Sequence, residues 1–283
     1  MDHTAFTTEN LAQTLSRELK TPQLLQDAAD CADVALPPGW QLQKIDREQL
    51  AATPRRIKTT ATLATKDAFV EYVRRHQTGA NASTVWCNLE AEKGKVAFAA
   101  LLDDHGSGGS APGWRTHRAT FDPPFSVEWS RWLAHNSKQC GQEAFAVFLE
   151  DNQKDIMGGE GFPTGAEMLA MALDFQAKQD QSFKSAMRLQ SGGIRMEFVS
   201  ADDGATVQAM QVFERFRIAI PVFRDDKERF PIVARLRYRH PGGKLSFWYE
   251  LIREDQVFEQ SSAALVDHVR TQCGLPFFFG QPG

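Results

Sequence analysis

The chain has 283 residues, 42% of them hydrophobic and 24% charged, a composition expected of an ordinary soluble globular protein with room for one large domain or two small ones. A formal net charge of −4 means that any nucleic-acid contact has to come from a local basic patch and not from the chain as a whole. No run approaches the roughly 18 apolar residues of a membrane span, and the opening Met1-Asp2-His3-Thr4-Ala5-Phe6 lacks the basic start and apolar stretch of a secretory signal. Cys31, Cys87, Cys140 and Cys273 are scattered with no Cys-x-x-Cys pair, which predicts buried thiols in a reducing cytoplasm over a zinc site.

In chain order, Leu11, Leu15 and Leu19 recur at helical spacing, and Leu24 and Leu25 follow the break at Pro22. The expectation is an N-terminal helical segment over 1–38, with Asp27, Asp30 and Asp33 on a solvated face, stopped by Pro37-Pro38-Gly39. Residues 39–283 are expected to form a single α+β domain. Short strands are predicted around Trp40–Ile45 and Ile57–Leu63. A helix capped by Thr65 should follow, running to His76 with Phe69, Val70 and Val73 as its apolar stripe. Thr84–Leu89 and Val96–Leu102 read as a hairpin, and 115–121 as a third strand. The apolar run Val96–Leu102 predicts a central strand buried on both faces.

From Phe125 the period changes. Trp129, Trp132 and Leu133, then Phe145, Phe148 and Leu149, then Met168, Leu169 and Met171 mark a central helical block over about 125–189. Phe183–Leu189 fits either a fourth helix or the entry to a strand. Over about 192–252 alternation returns, in Ile194/Met196/Phe198, Phe216/Ile218/Ile220, Ile232/Ala234/Leu236/Tyr238 and Leu245/Phe247/Tyr249/Leu251. This predicts a C-terminal antiparallel meander, with Pro241-Gly242-Gly243 as a turn. A helix bearing Leu265, Val266 and Val269 and the tail Leu275–Gly280 close the chain. The fold class is therefore α+β, a mixed or antiparallel sheet with a central helical block and a C-terminal meander.

Several motifs stand in a distinctive order. They are Leu101-Leu102-Asp103-Asp104-His105, Trp114-Arg115-Thr116-His117-Arg118, Glu128-Trp129-x-x-Trp132 and Phe145-Ala146-x-Phe148-Leu149-Glu150-Asp151-Asn152 with Asp155-Ile156. Phe183-Lys184-Ser185-Ala186, Ala234-Arg235-Leu236-Arg237-Tyr238-Arg239 and Phe247-Trp248-Tyr249-Glu250 follow. In these the chain resembles the YfdQ-like family of phage and prophage proteins, a domain of unknown function. The resemblance implies a phage or prophage protein of the bacterial cytoplasm with a part in early phage functions, such as genome processing or interference with host defence. It supplies no catalytic residues.

Three groups carry chemistry of interest. Asp103, Asp104, His105 and His117 flank a glycine-rich loop, where carboxylates and imidazoles at a strand end suit a divalent metal or acid–base work. The competing reading is that the aspartates bind the loop's own amides. The loop leads into a strand and not a helix, which argues against a phosphate cradle. Second, strand parity places Arg215, Arg217, Arg235, Arg237 and Arg239 on one sheet face with Trp248, and with Arg195 if its strand joins them. That face suits nucleic-acid phosphates, a nucleotide or another subunit, unless Glu197 and Glu250 turn it into an ion-pair ladder. Third, Glu150, Asp151 and Asp155 lie close together at a helix end. Phe277, Phe278 and Phe279 in the tail are expected at a subunit contact, because three phenylalanines left in water make an apolar patch that monomers seldom carry.

The leading expectation is a non-enzymatic homo-oligomeric binding or assembly protein without a cofactor. A nucleic-acid- or nucleotide-binding protein using the arginine face is the first alternative, and a metal-dependent enzyme using residues 103–117 the second.

Overall fold

The structure, a computed structural model, describes residues 11–18, 20, 23–27, 32–37, 39–41, 48, 51–79, 81–159, 161–177, 181–188, 193–200, 207–239 and 246–283. The chain divides into two compact units, Met1–Ile57 and Lys58–Gly283.

In the first unit, helix α1 spans Leu11–Glu18 as its leucine spacing predicts. The stretch after Pro22 is not a second helix. Strands β1 (Gln23–Asp27) and β2 (Ala32–Ala35) pair antiparallel, with Leu24 opposite Val34. Adjacent Leu24 and Leu25 make no helical stripe, and the cross-strand partner for Leu24 lies ten residues on, beyond the range of a sequence-local pattern. The strand expected over Trp40–Ile45 falls largely outside the described residues.

The second unit begins with β3 (Thr59–Leu63) and α2 (Lys66–His76). The Thr65 hydroxyl accepts the Ala68 N–H at 3.1 Å, and Phe69, Val70 and Val73 are buried, as their spacing predicts. Strands β4 (Thr84–Glu90) and β5 (Lys95–Leu101) form the expected hairpin, and β6 (His117–Phe121) continues the sheet. The helical block holds α3 (Val127–His135), the two-residue strand β7 (Cys140–Gly141), α4 (Gln142–Asp151) and α5 (Gly165–Ala177). Residues Gln181–Arg188 take the strand alternative as β8. Then come β9 (Gly193–Ser200), β10 (Val207–Phe213), β11 (Arg215–Ile220), β12 (Phe230–Arg239) and β13 (Ser246–Leu251). The twenty-residue α6 (Glu254–Cys273) and β14 (Phe277–Phe279) finish the fold.

The fold is α+β, but the strands do not make one meander. β10-β9-β8 form a three-stranded antiparallel sheet, whereas β11-β12-β13-β7 form a four-stranded antiparallel one. Only Glu214 separates β10 from β11, and a hairpin needs at least two turn residues, so β11 cannot fold back on its predecessor. It pairs instead with β12, Phe216 opposite Ala234, and β12 pairs with β13, Arg237 opposite Trp248. The Pro241-Gly242-Gly243 turn and Leu245 lie outside the described residues. The remaining sheet is five-stranded, in the order β14-β4-β5-β6-β3, mixed because β14 runs parallel to β4 and β3 parallel to β6.

One continuous core fills this unit, from Phe69, Phe98 and Phe121 through Trp129, Trp132 and Phe145 to Phe216, Phe247, Tyr249 and Phe258. Helix α6 packs on β4, β12 and α2, and so joins the five-stranded sheet to the four-stranded one. Strand β5 is central, but before its last residue it packs on one face only. Val96, Phe98 and Ala100 face the core, while Ala97 and Ala99 on the other face are part-exposed. Among the described residues no helix is long and apolar enough to cross a membrane.

Leu101 ends β5 fully buried, opposite Thr84 and Arg118. Leu101→Ala is expected to cost about 2–5 kcal/mol in chemical denaturation. Leu173→Ala, at a half-exposed helix position, should cost less than about 0.5 kcal/mol.

Candidate functional site

The turn after β5 is built by its two aspartates. Asp103 Oδ2 accepts the Thr116 N–H at 2.9 Å and the Thr116 hydroxyl at 3.0 Å, and its Oδ1 accepts the His117 N–H at 2.9 Å. Burial pushes the Asp103 carboxyl up, but these donors outweigh it and hold the group below the usual aspartate value. Asp104 is buried; Arg115 Nε donates to its Oδ1 at 2.7 Å and the Thr84 hydroxyl to its Oδ2 at 2.9 Å. His105 Nδ1 stands 3.5 Å from the same Oδ2. Gly113 lets the returning chain pass: a Cβ there would sit 1.9 Å from the Asp103 carbonyl oxygen. Arg115 takes a left-handed φ of 53° to bring its guanidinium back to Asp104. The glycine loop closes on itself through Gly106 N–H to Ala111 carbonyl at 2.8 Å and enters β6, so no helix N-terminus faces it.

His117 does not join this carboxylate group with its ring. Its Nε2 lies 3.0 Å from the Tyr72 hydroxyl, and its ring meets His76 edge-on at 5.1 Å between centroids. Burial and the neighbouring His76 lower the His117 pKa, with Asp103 opposing them. Tyr72 and His76 escaped the sequence reading, although their i, i+4 spacing on α2 puts them on one stripe.

The four-stranded sheet carries the arginine face. Arg215 lies opposite Arg235, Arg235 opposite Glu250, Arg237 opposite Trp248 and Arg239 opposite Ser246. Arg235 Nη1 and Arg237 Nε reach Glu250 Oε2 at 3.4 and 3.3 Å. Burial raises the Glu250 pKa, but hydrogen bonding and charge from Arg237, with help from Trp248 and Arg235, lower it overall. The Arg217 guanidinium lies 5.1 Å from the centre of the Phe162 ring. Arg195 is in β9, in the three-stranded sheet, and Glu197 is on that strand too, so neither belongs to this face.

The acidic cluster separates. Glu150 and Asp151 are exposed, whereas Asp155 is buried, accepting from Trp132 Nε1 at 2.9 Å and from Arg229 Nη2 at 2.7 Å. A groove of about 370 Å³ between α2, α6 and the 225–230 segment is lined by both signs of charge. Within it Lys66 pairs with Asp226 at 3.0 Å, and His268 Nε2 lies 3.5 Å from Asp67 Oδ1. Cys87 and Cys273 are buried free thiols, each pushed by burial up to about 11, which makes them poor nucleophiles. Cys31 lies outside the described residues. Among the described residues no group of three or more His, Cys, Asp and Glu is placed to hold a metal ion.

The tail lies on its own sheet. Phe277, Phe278 and Phe279 pair in parallel with Val85, Trp86 and Cys87. Phe277 packs against the core, while the Phe278 ring meets Trp86 at a tilt, 5.0 Å between centroids, with 45% of its surface exposed, and Phe279 is 64% exposed.

A family model described as an uncharacterized conserved protein (DUF2303) matches residues 6–282. The chain belongs to the DUF2303 family. No curated protein and no solved structure matches it. In this DUF2303 member, then, residues 103–117 form a turn tied by its own side chains, while the tail edge and the arginine face present side chains outward.

The folded Asp103 value lies below the usual 3.8, so its stabilisation is complete above 3.8 and is lost as pH falls through the folded value. Asp103→Asn should therefore be less stable than wild type near neutral pH. The gap in urea midpoint should close as pH is stepped down below 3.8.

Proposed function

We propose that this DUF2303 chain is a non-enzymatic homo-oligomeric assembly module whose copies join through the C-terminal strand β14. The observation that carries the reading is an open sheet edge flanked by exposed aromatic side chains. Among the described residues no strand pairs with the outer side of β14. Sheet edges in soluble monomers are usually blunted by shortness, charge, proline within the strand or a bulge; β14 is short, at three residues, but all three are phenylalanines and none is charged. Two copies related by a twofold axis would pair antiparallel about Phe278, each strand serving as the other's partner. Phe278 and Phe279 are already partly buried, so covering the remainder offers about 1–2 kcal/mol for each side chain. The likeness to YfdQ-like proteins supports a setting in early phage functions in a bacterial cytoplasm, either genome processing or interference with host defence.

Light scattering after size exclusion tests this. Wild type should elute as a multiple of 31.7 kDa. Phe278→Ser with Phe279→Glu should shift it to a single chain whose thermal unfolding stays cooperative. A wild-type mass of one chain, or a folded double variant that keeps the wild-type mass, would refute the proposal.

A further inference from the structure

The open face of the four-stranded sheet is dominated by one sign of charge. Its outward positions on β11, β12 and β13 include five arginines and one carboxylate, Glu250, on a chain whose net charge is −4. An ion-pair ladder would alternate the signs. Here Arg215 stands directly opposite Arg235, a like-charge pair that costs stability in a sheet. Glu250 is shared by two guanidiniums at 3.3 and 3.4 Å, with 40% of the Arg235 and 45% of the Arg237 side chain exposed. Exposed pairs at such distances are worth little and exchange readily for a better acceptor. Trp248, part-exposed, lies in register opposite Arg237, next to Glu250 on the same face of β13.

We infer that this face binds single-stranded nucleic acid, with Arg215, Arg235, Arg237 and Arg239 on phosphates and the Trp248 indole as a stacking platform for a base. Three properties favour that partner over an acidic protein surface. These four arginines stand on this face against one carboxylate, and positive charge so little interrupted matches the continuous charge of a phosphodiester backbone, whereas protein surfaces usually mix both signs. Arg235, Arg237 and Arg239 recur along β12 every second residue, about 6.8 Å apart, close to the phosphate repeat of an extended strand. An aromatic ring beside arginines on a sheet face suits unpaired bases, whose π-faces are hidden in a duplex. The inward side of the same strands, with Phe216, Ile218, Leu236, Phe247 and Tyr249 buried in the core, holds the face rigid. This inference is independent of how copies assemble.

Fluorescence anisotropy with a labelled oligothymidylate at low salt reads it directly. Wild type should bind, with an affinity that falls steeply as salt rises. Arg237→Gln with Arg239→Gln should weaken binding at least tenfold and reduce the salt slope by about 1.4, the value for two phosphate contacts to a single strand. The matched Arg→Lys pair should restore part of the affinity, since charge survives without the fork. Trp248→Leu should weaken binding with the salt slope unchanged, and Trp248→Phe should retain most of it. Circular dichroism of each variant guards against unfolding, and the exposed Arg237 and Arg239 pair supplies the decisive comparison. Absence of wild-type binding, equal competition by duplex of the same length, equal competition by polyglutamate, or wild-type affinity in the Arg237/Arg239 variant would each overturn the inference.

Discussion

The indole N–H of Trp132 finds its partner inside the core, and much of the second unit is arranged so that it can. Trp132 is fully buried, and the acceptor is Asp155, a carboxylate carried into the interior by the short turn after α4. A buried carboxylate is costly unless it is hydrogen-bonded and its charge is matched. Arg229, at the entrance to β12, supplies the charge at 2.7 Å. The Trp132 carbonyl in turn accepts the Tyr249 hydroxyl from β13 at 2.6 Å, and its ring meets Phe148, Phe216 and Tyr249. Three helical segments and the four-stranded sheet are thereby held by one side chain that satisfies its polar and its apolar surface together.

That arrangement shows what a sequence discloses and what it hides. The stripe of Phe69, Val70 and Val73 in α2, the β4–β5 hairpin and the alternation of Phe216, Ile218 and Ile220 were legible, because burial of one face imprints a local period. Arg215, Arg235 and Arg237 could be placed on a common face for the same reason. The pairing of β14 with β4, the Tyr72–His117 contact and the Asp155–Arg229 link join residues between 45 and almost 200 positions apart, and no local period records them. The β1–β2 hairpin was hidden differently: its strands are only four and five residues long, too short for alternation to stand out from a helical spacing.

Both larger sheets bury one face and leave the other accessible, yet the two open faces have opposite chemistry. On the five-stranded sheet, Trp86, Ala99, Thr120 and Thr62 lie side by side across β4, β5, β6 and β3, a row of one indole and three small side chains, all neutral, beside the tail aromatics. On the four-stranded sheet the corresponding surface is crowded with guanidiniums. A neutral edge suits contact between like copies, where charge would repel, and a cationic face suits a polyanion. Contact between copies and contact with a polyanion would therefore use separate parts of the molecule.

The link at Glu214 has a further consequence. Alternation along a strand is a two-letter code, and β11 inherits its phase from the single residue that joins it to β10. One residue added or removed there would turn Phe216, Ile218 and Ile220 outward and carry Arg215 and Arg217 into the core, a reversal of every side chain on the strand. The backbone is held in that phase as well, because the Glu214 carbonyl accepts the Leu236 N–H at 2.9 Å. Length change is thus forbidden at this one point. The 106–112 loop lies outside any strand, and there the molecule can drift in length without exchanging its inside for its outside.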